Sequence, residues 1–170
     1  MANHDLTGIS SITHKGLSEL KVDAATFEVT TAMIDNADDN IFTPVVLPSN
    51  ARLIELDIYS DDLDSNVSPT LAYNIGLAYT GIGRGQVGKL TTDIIDADCI
   101  GTAVTVGQAA DIDGGHLQFE ARDIANVNKE LWEVAGLSAD TGGYYSIVFD
   151  LTTAAATPVA GTITIVAKYV

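Results

Sequence analysis

Cysteine is almost missing from this chain. Cys99 is the only one in 170 residues. No intrachain disulfide can form, which rules out a small secreted scaffold held by bridges. Cations are scarce as well. Eight Lys and Arg stand against twenty-three Asp and Glu, for a net charge of -15. A nucleic-acid surface needs a basic patch to replace phosphate counterions, and so few cations cannot easily build one. An anionic membrane surface is disfavoured on the same grounds. The acidity reads first as solubility and mutual repulsion, with a saline environment or a basic partner as the alternative. No apolar run approaches the length of a membrane span. The opening "MANHDLTGIS" lacks the charged region and apolar core of a signal peptide. A soluble protein that folds in a cytoplasm is expected.

What is present suits one globular domain. Apolar residues make up 46% of the chain and charged ones 18%, enough to bury a single core. Residues 1–24 are polar and weakly patterned, and read as an extended amino-terminal arm. Residues 25–170 read as the folded domain. Phe27, Val29, Thr31 and Met33 alternate with polar or small residues until "DNADDN" (35–40) turns the chain. "IFTPVVL" (41–47) follows, and Pro44 marks an edge strand or a bulge. Ile54, Leu56 and Ile58 share one strand face, opposite Glu55 and Asp57. A further strand places Leu71, Tyr73, Ile75, Leu77 and Tyr79 on one face. Its other face holds the small residues Ala72, Asn74, Gly76 and Ala78, which permit close approach of another layer.

"GIGRGQVG" (81–88) reads as a loop. The stretch that follows, to about residue 115, admits a short helix or a strand. "HLQFEA" (116–121) reads as a strand. Ile124, Val127, Leu131 and Val134 then recur at helical spacing, predicting one short helix near 124–135. Asp123 can cap its start, Gly136 suits a left-handed stop, and Leu137 can pack after it. Two strands close the chain, one through Tyr145, Ile147, Phe149 and Leu151, the other through Ile163, Ile165, Ala167 and Tyr169. "TAAATPVAG" (153–161) joins them. No convincing internal repeat is present. Seven or so alternating strands with little helix imply a mainly β, antiparallel sandwich of jelly-roll type.

Each chemically suggestive cluster has a plainer reading. "YSDDLDSN" (59–66) sets Asp62, Asp64 and Asn66 at the spacing of the first oxygen ligands of a calcium loop. The match stops there, because Val67 stands where glycine is needed and Tyr73 stands at the bidentate glutamate position. Calcium would need help from Asp35, Asp38 or Asp39. An acidic turn at a strand end explains Asp61–Asn66 better. "DADC" (96–99) and "DIDGG" (111–115) are shorter versions of the same signal. "GIGRGQVG" lacks both the helix of a dinucleotide fingerprint and the Gly-Lys-Ser/Thr of a phosphate loop. Arg84 at its tip suits a partner contact. His4, His14 and His116 have no zinc spacing, and Cys99 has no cysteine mate. A Cys99–His116 pair stays open, although a lone cysteine is more often buried structure. Trp132 is the single tryptophan and fits the core beside the helix, whereas a glycosidase would usually show aromatic platforms. No catalytic residue, metal ligand or cofactor is assigned, and no enzyme is expected.

Four stretches together resemble the small capsid decoration, or cement, proteins of tailed bacteriophages. They are "VVLPSNARLIELDIYSDDLDS" (45–65), "LAYNIGLAYTG" (71–81), "IIDADCIGTA" (94–103) and the carboxy-terminal run from Leu131 to Val170. Their shared order is a proline-led turn, a strand ending in an Asp-Asp-Leu-Asp loop, a strand ending in glycine and an acidic segment. A "GG" before the penultimate strand, an alanine/threonine loop and a last strand near "YV" complete it. The resemblance covers most of 41–170 and leaves out the arm. It implies a jelly roll on the outer surface of an icosahedral head, commonly a homotrimer, bridging neighbouring major capsid protein subunits. The expected role is a structural virion protein that stabilises contacts between capsomers. The alternative is a glycan- or receptor-binding module of a tail or baseplate, with loops 61–66 and 81–88 as its site.

Overall fold

The alternating segments form eight strands in a computed structural model, which describes residues 20–81, 93–109, 111–116 (as backbone), 126 and 128–170. In order they are β1 (Lys21–Val29), β2 (Asn40–Pro48), β3 (Leu53–Ser60), β4 (Ala72–Tyr79), β5 (Ile94–Val104), β6 (Asp111–His116), β7 (Tyr144–Thr153) and β8 (Gly161–Tyr169). Two four-stranded sheets result, ordered β1-β8-β3-β6 and β2-β7-β4-β5, and every pairing is antiparallel. This interleaving, with the last strands inserted between the first ones, is the jelly-roll arrangement of an antiparallel β-sandwich. The core lies between the sheets. Leu47, Leu56, Ile58, Ile75, Leu77, Tyr145, Ile147, Phe149 and Ile165 are all buried there, and Tyr73 stacks on Phe149 with ring centroids 4.8 Å apart.

The strand register gives the sandwich two distinct ends. β1, β3 and β7 begin, and β2, β4 and β8 finish, at the end that carries Arg52. The loop after β3, holding Asp64, lies at the opposite end with the 153–161 loop.

Several expectations are met. β4, β7 and β8 run where the alternation put them, and Pro44 sits exposed on the edge strand β2 at a break in register between Phe42 and Val46. Gly76 is needed where it stands, because a Cβ there would meet the backbone of Asp96 and Ala97 in β5. The approaching layer is thus the neighbouring strand itself.

Other expectations change. β1 begins at Lys21, inside the stretch read as arm, and pairs along its whole length with β8; residues 1–19 lie outside the described residues. It ends at Val29, and Thr31–Met33 form a 3-10 turn instead of continuing the strand. Ile54 does not share the core face with Leu56 and Ile58. A register shift between Leu53 and Glu55 turns Leu53 inward and leaves Ile54 45% exposed. The ambiguous stretch contains a strand, β5, and "DIDGG" lies within β6. His116 ends β6, and the rest of "HLQFEA" lies outside the described residues.

Of the helix expected near 124–135, the described residues contain one α-helical turn, α1 (Leu131–Val134), and 128–130 are not helical. The cap of α1 is Glu130; Asp123, Ile124 and Val127 lie outside the described residues. Glu130 and Glu133 form a reciprocal capping box. The predicted stop is correct. Gly136 takes φ +70°, its N–H reaches the Glu133 carbonyl at 3.1 Å, and Leu137 N–H reaches the Trp132 carbonyl at 3.1 Å. These two bonds are the Schellman closure that glycine at this position allows.

Candidate functional site

The acidic loop after β3 is the densest polar structure among the described residues, and Asp64 is its centre. It is buried, at 1% exposure, with no ion pair to a cation among the described residues. Five backbone N–H groups converge on it instead. Oδ1 accepts from Thr157 at 2.8 Å and Asn66 at 3.4 Å; Oδ2 accepts from Thr70 at 2.7 Å, Ala156 at 2.9 Å and Leu71 at 3.2 Å. Burial pushes the carboxyl upward, but the N–H bonds from Thr70, Ala156, Thr157 and Leu71 outweigh it and hold Asp64 down at about 2.

The sequence folds this way because short acidic and amide side chains mimic a turn of backbone. Asp62 Oδ1 accepts from Asp64 N–H at 3.2 Å, and Asn66 Oδ1 accepts from Ser68 N–H at 2.9 Å. The D-x-D-x-N spacing that imitates a calcium loop is thus a chain of successive side-chain turns. Asp61 faces the start of β8, where its Oδ2 accepts from both Thr162 N–H and Thr162 Oγ1 at 2.8 Å. Those bonds, the hydroxyl first, lower its pKa below the ordinary carboxylate value. A carboxylate offers about four lone-pair sites. Asp64 already accepts five N–H bonds, so it has nothing left for a metal ion.

The loop it supports is stitched to the 153–161 loop at several further points. Ser65 N–H reaches the Thr157 carbonyl, Val159 N–H the Leu63 carbonyl, Thr70 Oγ1 the Ala154 carbonyl and Asn66 Nδ2 the Thr157 hydroxyl. Sequence alone pointed to Asp61, Asp62, Asp64 and Asn66 but not to this partner loop. The small-residue run 153–161 gave one signal: its backbone is unencumbered and can approach closely.

The remaining candidates are dispersed. Asp35, Asp38 and Asp39 belong to the turn before β2, where Asp38 takes φ +73° and its N–H bonds the Leu151 carbonyl. Asp96 and Asp98 lie in β5. The Asp98 carboxyl is raised by its hydrogen bond to Asp96, then by burial and by the charges of Asp96 and Asp150. Cys99 packs against the core, and burial, then the charges of Asp96 and Asp98, push its thiol up to about 12. Cys99 stands in one sheet and His116 in the other. A thiol so hard to ionise is the reverse of an activated nucleophile. Trp132 packs against the core as expected, and its Nε1 donates to Glu130 Oε2 at 2.7 Å. His4, His14 and Arg84 lie outside the described residues. Among the described residues, no three His, Cys, Asp or Glu side chains are grouped to hold a metal ion, and no helix is long and apolar enough to cross a membrane.

One missed feature is the ion-pair group on the outer side of the first sheet. Lys168 Nζ lies 2.7 Å from Glu55 Oε2 and 3.5 Å from Asp57 Oδ2. Period-two reading placed both acids on the outer face but could not pair them with β8.

The molecule is therefore a jelly-roll sandwich whose best-built polar cluster fastens loops. Its fold has counterparts among phage capsid proteins. Over 88% of its length the chain is similar to a chain of the capsid of Ralstonia phage GP4, with 25% identity, a TM-score of 0.59 and 84% of that chain covered. It is similar over the same share to a chain of the cyanophage Pam1 capsid asymmetric unit, with 19% identity, a TM-score of 0.53 and 83% of that chain covered. The second likeness is one of fold. No protein-family profile and no curated protein matches the sequence.

Proposed function

We propose that this chain is a structural protein of a phage virion, which binds the outer surface of the capsid and stabilises contacts between capsomers. The observation that carries this reading is the similarity to the GP4 capsid chain across nearly the whole of both chains. The sequence resemblance to decoration proteins points the same way. The net charge of -15 supports an outer position, because packaged DNA would repel so acidic a chain.

The role is mechanical rather than catalytic. A sandwich whose loops are tied by Asp64 is a stiff block. Seated across the junction of two capsomers, it buries surface on both and so opposes their separation. The proposed partner is the major capsid protein, the proposed state a homotrimer, and the proposed role of the amino-terminal segment is to latch onto the shell.

Quantitative mass spectrometry of purified virions tests the reading. The chain is expected at a copy number near that of the major capsid protein. Added to expanded heads that lack it, the recombinant chain should bind and delay their thermal rupture. Removing residues 1–20 should abolish that binding. Absence from the virion would overturn the proposal, and full occupancy by the truncated chain would overturn the latch alone.

A further inference from the structure

The two ends of the sandwich differ in charge and in exposed apolar surface. At the Asp64 end, the turn before β2 and the loop after β3 carry Asp35, Asp38, Asp39, Asp61, Asp62 and Asp64. No lysine or arginine occurs in either, nor in residues 105–109 or 153–160. Every described cation lies toward the other end. Lys21 pairs with Tyr169 at the start of β1, Arg52 bonds the backbone of Val170, Lys168 pairs with Glu55, and Lys129 precedes the Glu130 that Arg52 contacts at 3.6 Å. Apolar exposure follows the same division. Of six exposed large apolar side chains among the described residues, four surround the Arg52 end: Leu20, Val22, Ile54 and Tyr144.

A third fact concerns the chain path. The nineteen residues before Leu20 join the fold at this same end, since Lys21 opens β1 beside Tyr169. An uncompensated acidic end repels other acidic protein surfaces. The Arg52 end carries Asp23, Asp93, Glu130, Glu133 and Asp140 beside its cations, so it is mixed in sign and can bury apolar area while its rim offers both charges.

We infer that the sandwich stands end-on, with its Arg52 end docked on a shell surface that offers apolar groups ringed by charges of both signs, and its Asp64 end facing outward. This rests on the capsid reading above and adds the orientation. Leu20, Val22, Ile54 and Tyr144 supply the apolar contact, with Lys21 and the Arg52–Glu130 pair at its rim. The acidic end then forms the particle's outermost surface, where like charge keeps particles apart.

Hydroxyl-radical footprinting of the full chain, free and bound to heads lacking it, tests the orientation. Tyr144 and Met33 are matched reporters, 43% and 40% exposed at opposite ends. On binding, labelling of Tyr144 should fall about fivefold or more while Met33 stays within about twofold, as expected where an interface excludes water. Separately, the exposed-site double variant Val22→Asp with Ile54→Asp, checked for an unchanged melting curve, should bind heads about tenfold more weakly. Neutralising Asp35, Asp38 and Asp39 to Asn should leave binding unchanged. Protection of Met33 with Tyr144 still labelled, or full binding by the Val22/Ile54 variant, overturns the orientation and leaves the capsid reading intact. Failure of the wild-type chain to bind such heads overturns the capsid reading, and the orientation with it.

Discussion

Asp64 Oδ2 accepts the backbone N–H of Ala156 at 2.9 Å, across 92 residues of sequence. With Thr157 N–H on the other oxygen, one carboxylate joins the loop that leaves β3 to the loop that enters β8. The variant Asp64→Asn keeps the shape but turns one acceptor into a donor, facing N–H groups that are themselves donors. Buried donors left without acceptors cost about 1–3 kcal/mol each. Asp64→Asn should therefore lower unfolding stability by about 3 kcal/mol in urea titrations, with Asp62→Asn below about 1 kcal/mol because its amide oxygen can still accept the single turn bond from Asp64 N–H. Equal effects at the two positions would remove Asp64 from its central role.

The same carboxylate makes the fold acid-labile. Its folded pKa, about 2, lies below the unfolded value of 3.8. The stabilisation is therefore complete above about pH 4 and is lost as pH falls toward 2, amounting to about 2 kcal/mol. Asp61, also lowered, adds in the same direction. The urea midpoint of the wild type should fall between pH 5 and pH 2, and that of Asp64→Asn should fall less. Parallel curves would show that other groups carry the acid sensitivity.

Calcium gives an independent check on the D-x-D-x-N spacing. Asp64 is saturated by N–H groups, and Asp62 and Asn66 hold turns. Millimolar calcium, or its chelator, should leave the melting temperature unchanged. A ligand that bound the folded state alone would raise it in a concentration-dependent way.

Strands that keep strict alternation were readable, and β4, β7 and β8 fall where Ile75, Phe149 and Ile165 put them. β5 was not, because its pairing with β4 shifts register three times and its side chains lose period two. A similar shift exchanged Leu53 for Ile54 in the core. The turn chemistry of Asp62, Asp64 and Asn66 is local and so was legible as a turn. Its long-range half, Ala156 and Thr157, was hidden because backbone donors leave no mark in sequence. The short helix was overread because a stop signal at Gly136 does not fix where a helix starts.

Gly76 marks where β5 crowds β4. A methyl group there would press on the backbone of Asp96 and Ala97, which cannot swing aside as a side chain would. Gly76→Ala should cost about 2 kcal/mol, the scale of overpacking in a filled site. Hydrogen exchange should show the loss concentrated in β5, an edge strand. Uniform loss across β7 and β8 would mean that the clash is relieved through the core instead.

Cys99 offers a chemical reading of the same edge. Its Sγ donates to the Asp96 carbonyl at 3.8 Å, and burial with two neighbouring carboxylates holds the thiol at about 12. Thiolate is the reactive form, so native Cys99 should react with a disulfide reagent at pH 8 far more slowly than the unfolded chain. The ratio of the two rates reports the opening of β5 from β4. Gly76→Ala, which strains that pairing, should therefore raise the native rate, while Asp64→Asn at the far end of the sandwich should raise it only through global unfolding. Adding low urea separates the two routes, since global opening accelerates steeply with denaturant and local opening barely responds.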